Sequence, residues 1–367
     1  MSVHKDEKTG TWYFKKRVIN LDGSKKNTTR RGFRTKQEAR KAEMELNPYE
    51  FKTLTFNQLC DSYLKYKSTK LKESTIYGHR GIIDKYMRDY FKNVDVKNIQ
   101  NQYVLSWIEL LRTQDIGVGR INKIIGVLDS VLKHGEAFYG INTNPCRKIE
   151  KLRDLSIKTI EMTIWTPEQF KKFISKCENL TYFTFFNLLY YTGLRKGEAR
   201  ALTWGDIKND KEHKLIVNKT MGRRCYDTKS NEYKATNPKT ESGNRIVVLS
   251  DKIYEILMKY KDYIIAMYQV VNDNHLIFGY DKPLSETSIA RYADKTCEFA
   301  NLEKIKIHDF RHSHASLLIN MGLNPLFIAE RLGHENVSTT LDTYSHLFPT
   351  NQTEIAQKID KLIDEYL

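Results

Sequence analysis

Residues 308–318 read His308-Asp309-Phe310-Arg311-His312-Ser313-His314-Ala315-Ser316-Leu317-Leu318. His308 and Arg311 are three residues apart, so on a helix they share a face. His308 and His312 are four apart, the spacing of the two zinc ligands in a helical HExxH motif. Zinc is the poorer reading. Position 309 is Asp, a shorter acid than the Glu which that motif uses as base. Arg311 would also set a cation beside the metal, and no third ligand suggests itself. No metal and no cofactor are expected.

Two further segments bear on this one. In Tyr191-Thr192-Gly193-Leu194-Arg195-Lys196-Gly197-Glu198-Ala199-Arg200-Ala201-Leu202, Gly193 permits a turn. Arg195 and Glu198 then lie on one face of the helix that begins there. Downstream, Leu332-Gly333-His334-Glu335-Asn336 is followed, ten residues after His334, by Tyr344 in Thr343-Tyr344-Ser345-His346. Taken singly, these are a common surface ion pair and one of 22 tyrosines.

Taken together and in this order, the motifs resemble the tyrosine recombinase family, which includes phage integrases and the integrases of conjugative transposons. The resemblance is strong over about residues 165–348. It extends to the amino terminus, where GTWYFKKRV and RRGFRTKQEA are similar to the family's arm-binding domain, and more loosely to 55–151, similar to its helical core-binding domain. Residue by residue, it implies that Tyr344 is the nucleophile and that Arg195 and Arg311 clamp the scissile phosphate. It implies Lys239 as general acid, with Lys229 and Lys234 as competitors in the same polar stretch. His308 and His334 would assist proton transfer and phosphate binding, and Glu198 would brace the site. It further implies a covalent 3′-phosphotyrosine, a free 5′-hydroxyl, and four protomers exchanging strands through a Holliday junction. Core and arm attachment sites, an excisionase and a host DNA-bending protein belong to the same expectation.

The residue types suit that chemistry. Phosphodiester cleavage builds charge on non-bridging oxygens, and two planar, permanently charged guanidiniums can bracket them with paired hydrogen bonds. They do what metal ions do in many nucleases, so none is required. Tyrosine is a poor nucleophile at its ordinary pKa near 10, which a positive pocket and nearby imidazoles would help to overcome.

Composition agrees. A net charge of +15 points to a polyanion, with nucleic acid the first candidate. Five scattered cysteines, none in CxxC spacing, argue against a disulfide framework and fit a reducing cytosol. Without a signal-like segment or a stretch of membrane-spanning length, a soluble cytoplasmic protein is expected.

The length predicts two or three domains, and an α+β multidomain fold follows from the pattern. Residues 1–47 form a small β-sheet with one helix. Strands are expected over Thr11–Val18 and Lys26–Phe33, with a turn at Asp22-Gly23 and a Thr35/Glu38 capping box opening a helix to about Leu46. Residues 1–42 hold thirteen Lys or Arg against four acids, and Lys15, Lys16, Arg17, Arg30, Arg31 and Arg34 are the expected DNA contacts. Residues 53–151 read as all-α. Stripes such as Phe56, Leu59, Tyr63, Leu64 and Ile121, Ile124, Ile125, Leu128, Leu132 form the core, with Lys65, Lys67, Lys70, Lys72 and Arg80 between them. Residues 160–367 read as mainly α with a small antiparallel sheet from Leu215-Ile216-Val217 and Arg245–Leu249. Thr166-Pro167-Glu168-Gln169 marks a helix start.

A last helix, capped by Asn351 and Glu354, carries Ile355, Ile359, Leu362, Ile363 and Tyr366 on one stripe. Either it packs on its own domain or it docks on a neighbouring protomer. Two other readings share the motifs: a type IB topoisomerase, disfavoured by the basic amino-terminal module, and a catalytically idle DNA-binding regulator, disfavoured because every expected catalytic residue type is present.

Overall fold

A computed structural model describes residues 3–19, 25–45, 54–141, 143–153, 162–209, 212–222, 225–227, 232–238, 241–348 and 352–366. The chain divides into two compact units, Met1–Lys158 and Thr159–Leu367. The fold class is the expected mixed one.

In the first unit, β1 (Val3–Lys5), β2 (Trp12–Ile19) and β3 (Lys25–Phe33) make an antiparallel sheet in that order, packed by α1 (Lys36–Glu45). The strand β1 was not legible in the sequence; its three residues are too short a run to show a period. Glu38 N donates to Thr35 Oγ1 while Thr35 N donates to Glu38 Oε2, so the capping box forms as expected. Phe14 is the fully buried centre, against Val3, Phe33 and Ala42. The Asp22-Gly23 turn and Leu46 lie outside the described residues.

The same unit holds α2 (Phe56–Ser68), α3 (Glu73–Tyr86), α4 (Arg88–Phe91), α5 (Asn101–Arg112) and α6 (Val118–Tyr139). The two apolar stripes expected to be core are buried in one cluster, which also takes Trp107 and Phe91. Lys65, Lys70, Lys72 and Arg80 are exposed, as the alternation of stripe and charge requires.

The second unit begins with α7 (Pro167–Ile174), where Thr166 and Gln169 form a capping box. Then come α8 (Leu180–Thr192), α9 (Lys196–Ala201), β4 (Ile207–Asn209) and β5 (His213–Val217). A two-stranded ribbon, β6 (Tyr226–Asp227) with β7 (Glu232–Tyr233), precedes β8 (Arg245–Val248). The sheet order is β4-β5-β8, all antiparallel, with Leu215 opposite Val247 and both buried. The rest is helical: α10 (Asp251–Tyr268), α11 (Glu286–Phe299), α12 (Asp309–Asn320), α13 (Pro325–Leu332), α14 (Val337–Tyr344) and α15 (Gln352–Tyr366). Helices α8 and α12 pack together at the centre, where Phe186 stacks on Phe310 and Phe170 on Tyr190. Both are buried nearly all round, so neither shows a one-sided apolar stripe. Among the described residues, no helix is long and apolar enough to cross a membrane.

Candidate active site

Two glycines set the geometry. Gly193 ends α8 and Gly333 ends α13, each in the left-handed conformation, at φ +66° and +69°. A side chain at either position would also collide. A Cβ at Gly193 would lie 2.6 Å from the His314 ring, and one at Gly333 would lie 2.8 Å from the Ser242 carbonyl oxygen. Freed from the helix ladder, the two carbonyls receive arginines from the opposite motif. Arg311 Nη1 donates to Gly193 O at 2.9 Å, and Arg195 Nη2 donates to Gly333 O at 3.1 Å. The segment around 193 is thereby tied to α12 through Arg311 and to the turn after α13 through Arg195.

Glu198 holds a second layer. Arg195 Nη1 donates to its Oε1 at 2.7 Å, and Arg245 Nη2 donates to its Oε2 at 2.8 Å. Burial alone would raise the Glu198 pKa, but hydrogen bonds and charge from Arg245 and Arg195 outweigh it and hold the carboxyl below its ordinary value. Arg245 reaches this layer from the first residue of β8 and also donates from Nε to Arg331 O.

Arg311 is 3% exposed, and its Nη2 is buried with no hydrogen-bond partner among the described residues. Burial, then the nearby Arg195 charge, pushes its pKa down to about 9. His334 Nδ1 pairs with Thr340 Oγ1 at 2.8 Å, and burial followed by the Arg311, Arg195 and Arg245 charges pushes the ring down to about 4. His334 is therefore neutral at physiological pH. Tyr344, the last residue of α14, is buried, and desolvation pushes its phenol up to about 12 against the opposing pull of Arg311. Its hydroxyl lies 2.7 Å from His312 Nδ1. His308, at the N-cap of α12, is exposed and sets its ring edge-on to His312, 4.9 Å between centroids.

Arg195, Glu198, Arg311 and His334 are thus joined by hydrogen bonds or direct charge effects, with Tyr344 beside them through His312. Lys239 lies outside the described residues, as does Lys229. Lys234 is exposed, and its backbone N–H donates to Cys225 O. Two site residues escaped the sequence reading. Arg245 was legible only as the start of a strand. His312 was weighed as a zinc ligand and set aside, although its step of four from His308 was the available signal.

The six basic arm residues divide between two faces. Paired residues on antiparallel strands point the same way. Phe14 pairs with Arg30 and Lys16 with Thr28, which puts Lys16 and Arg30 on the side that α1 covers; Lys16 Nζ donates to Glu43 O of that helix. Lys15 and Arg17 alternate to the opposite side, as does Arg31, which stacks over Tyr13 and pairs with Asp6. Arg34 is exposed at the end of β3.

The chain matches the model of the phage integrase family over residues 164–351, an arm DNA-binding domain over 2–47, and the N-terminal SAM-like domain of phage integrases over 55–111. The ICEBs1 integrase of Bacillus subtilis (strain 168) is 30% identical over 319 residues, covering 85% of this chain and 84% of that one. The integrase of Staphylococcus phage L54a is 24% identical over 357 residues, 90% and 99% of the two chains. In fold, the chain is similar to the Tn1549 transposon integrase, solved in complex with a circular intermediate DNA: TM-score 0.67, 18% identity, covering 83% of this chain and 99% of that one. A lambda integrase dimer bound to a COC′ core site gives a TM-score of 0.58 at 16% identity, over 93% and 95%. The chain belongs to the phage integrase family and is a tyrosine recombinase.

Proposed function

We propose that this protein is a site-specific DNA recombinase that integrates and excises a mobile element through a covalent 3′-phosphotyrosine at Tyr344 and a Holliday junction. The observation that carries the reading is the Nη2 of Arg311, without a partner among the described residues and buried in a cluster of cations beside the Tyr344 hydroxyl. An unsatisfied buried donor costs roughly 1–3 kcal/mol, and a phosphate oxygen would satisfy it. Arg195 and Arg311, each anchored by a glycine carbonyl, would spend their remaining donors on the non-bridging oxygens, where charge grows in the transition state. Glu198 would orient Arg195. His334, neutral and fixed by Thr340, would donate to the phosphate from Nε2. Lys239 would protonate the leaving 5′-oxygen, and His308 would assist proton transfer and phosphate binding.

Three functional segments follow: residues 1–47 for arm-type DNA, 53–151 for core DNA and 160–367 for catalysis. The arm contacts would come from Lys15, Arg17 and Arg31 on the open face of the sheet, with Arg34 at its end and Lys16 and Arg30 in lesser roles. Four protomers would act on two duplexes in the cytoplasm, with an excisionase and a DNA-bending host protein setting direction. The side chains of Ile359, Leu362, Ile363 and Tyr366 on α15 are all exposed, which favours docking of this helix on a neighbouring protomer. The Tn1549 integrase, similar in fold, was solved in complex with a circular intermediate DNA.

A suicide substrate nicked beside the cleavage site tests the reading. Wild type is expected to trap covalently on its own attachment site, and Tyr344→Phe to bind without trapping. No adduct from wild type on a verified site would refute it.

A further inference from the structure

Attack on phosphorus by the Tyr344 hydroxyl requires loss of the phenolic proton, and burial that lifts the phenol to about 12 makes the loss harder. Among the described residues, the contacts of His308, His312 and His334 separate these three imidazoles. His334 Nδ1 is committed to Thr340. His308 stands edge-on to the His312 ring. Among the described residues, the partner of the Tyr344 hydroxyl is His312, with Nδ1 2.7 Å from Oη and the two rings edge-to-face at 5.6 Å.

We propose that His312 is the general base of strand cleavage, taking the phenolic proton of Tyr344 directly onto Nδ1. The inference rests on the reading of Tyr344 as nucleophile. In the tautomer with hydrogen on Nε2, the Tyr344 hydroxyl donates to Nδ1 before DNA arrives. As the Oη–P bond forms and the P–O5′ bond breaks, the phenolic proton passes to Nδ1, leaving an imidazolium. The departing O5′ takes its proton from the general acid, Lys239 in the proposed reading. On rejoining, the 5′-hydroxyl attacks phosphorus and gives its proton to that lysine. The P–Oη bond breaks, and Nδ1 returns its proton to the phenolate. No oxidant, metal or nucleotide enters the balance.

The surroundings keep the base ready. His312 is faced by His308, Asp309 and Arg311 of its own helix, by Tyr344 from α14 and by His334 from the turn after α13. Burial lowers its pKa below the usual histidine value, with Asp309 opposing and Arg311 reinforcing. The ring is therefore neutral at physiological pH, as an acceptor must be. A neutral imidazole cannot ionise such a phenol at rest, so the transfer accompanies O–P bond formation, when the oxygen sheds its basicity.

Single-turnover cleavage of the suicide substrate tests this with His312→Asn, whose Oδ1 can occupy the place of Nδ1 and accept the hydrogen bond but not the proton. Cleavage is expected to fall by about 10²-fold or more, with core-site binding retained. A substrate with sulfur at the bridging 5′ position needs no acid for its leaving group. It should restore Lys239→Ala but leave the H312N defect intact. Cleavage by H312N within about threefold of wild type, or its restoration by the sulfur substrate, would overturn the proposal. If Asn at 312 abolishes binding, His312→Ala supplied with imidazole decides: recovery of cleavage supports a base at this position, and no recovery in a variant that binds DNA overturns it. Failure of wild type itself to trap would instead remove the nucleophile reading beneath.

Discussion

Helices α12 and α15 invert each other. In α12, charged and polar side chains are inside: Asp309, Arg311, Ser313 and His314 are buried, and burial pushes His314 down to about 3. In α15, Ile359, Leu362, Ile363 and Tyr366 form an amphipathic stripe, and all four are exposed. Neither arrangement suits an isolated chain. A buried guanidinium with a free donor awaits an anion, and an uncovered apolar stripe awaits a surface. On the proposed reading, the difference marks two docking places, α12 for a phosphate and α15 for a neighbouring protomer.

The largest expected effect comes at the tip of the buried cluster. Tyr344→Phe should abolish covalent trapping while changing stability by only about 1 kcal/mol, the worth of the lost hydrogen bond to His312. Loss of folding in a denaturant melt would mean that the hydroxyl is structural. Next, Arg311→Met should lower cleavage by about 10³-fold, yet leave DNA-free stability unchanged or higher, since a buried cation with an orphan donor is replaced by an apolar side chain. A strongly destabilised R311M would show that Arg311 is there to tie Gly193, and the contrast with α15 would weaken.

Glu198→Gln is expected to destabilise by about 3 kcal/mol at neutral pH, because it leaves Arg245 and Arg195 without a charged partner in a buried site. The carboxyl pKa is lower in the folded than in the unfolded chain. Its contribution is therefore present above the unfolded value near 4.5 and disappears as pH falls through the folded one. Urea melts of wild type and E198Q should converge as pH drops below that window. A gap independent of pH would assign the effect to packing.

The smallest effect on the monomer is expected from deleting residues 351–367. With Ile359, Leu362, Ile363 and Tyr366 exposed, α15 is expected to contribute little to the fold of a single chain. Stability and single-site core binding should change little, while synaptic complexes on gels should be lost preferentially. Equal loss of both would place the helix on its own domain.

Much of the architecture was legible. The capping boxes at Thr35 and Thr166, the pairing of β5 with β8 and the stripes of α2 and α6 are local or periodic signals, and they survive in the fold. Three features were not legible, each because it depends on a distant partner. The strand β1 exists by pairing with β2. Arg245 joins the site by reaching Glu198, 47 residues away. The basic arm residues separate into two faces only once the register of β2 against β3 and the position of α1 are known.

The sequence alone was enough to nominate Arg195, Glu198, His308, Arg311, His334 and Tyr344 for the chemistry, because an Arg, a His and a Tyr in ordered motifs are set by a family's pattern and not by the periodicity of a core. It could not decide which imidazole meets the phenol. His308, His312 and His334 are equivalent as letters, and a hydrogen bond is a matter of ångströms. Only the packing of α14 against α12 sets His312 Nδ1 beside the Tyr344 hydroxyl, and only burial makes Arg311 a cation with a donor to spare. Desolvation belongs to the folded chain, and the pKa values that govern this site come with it.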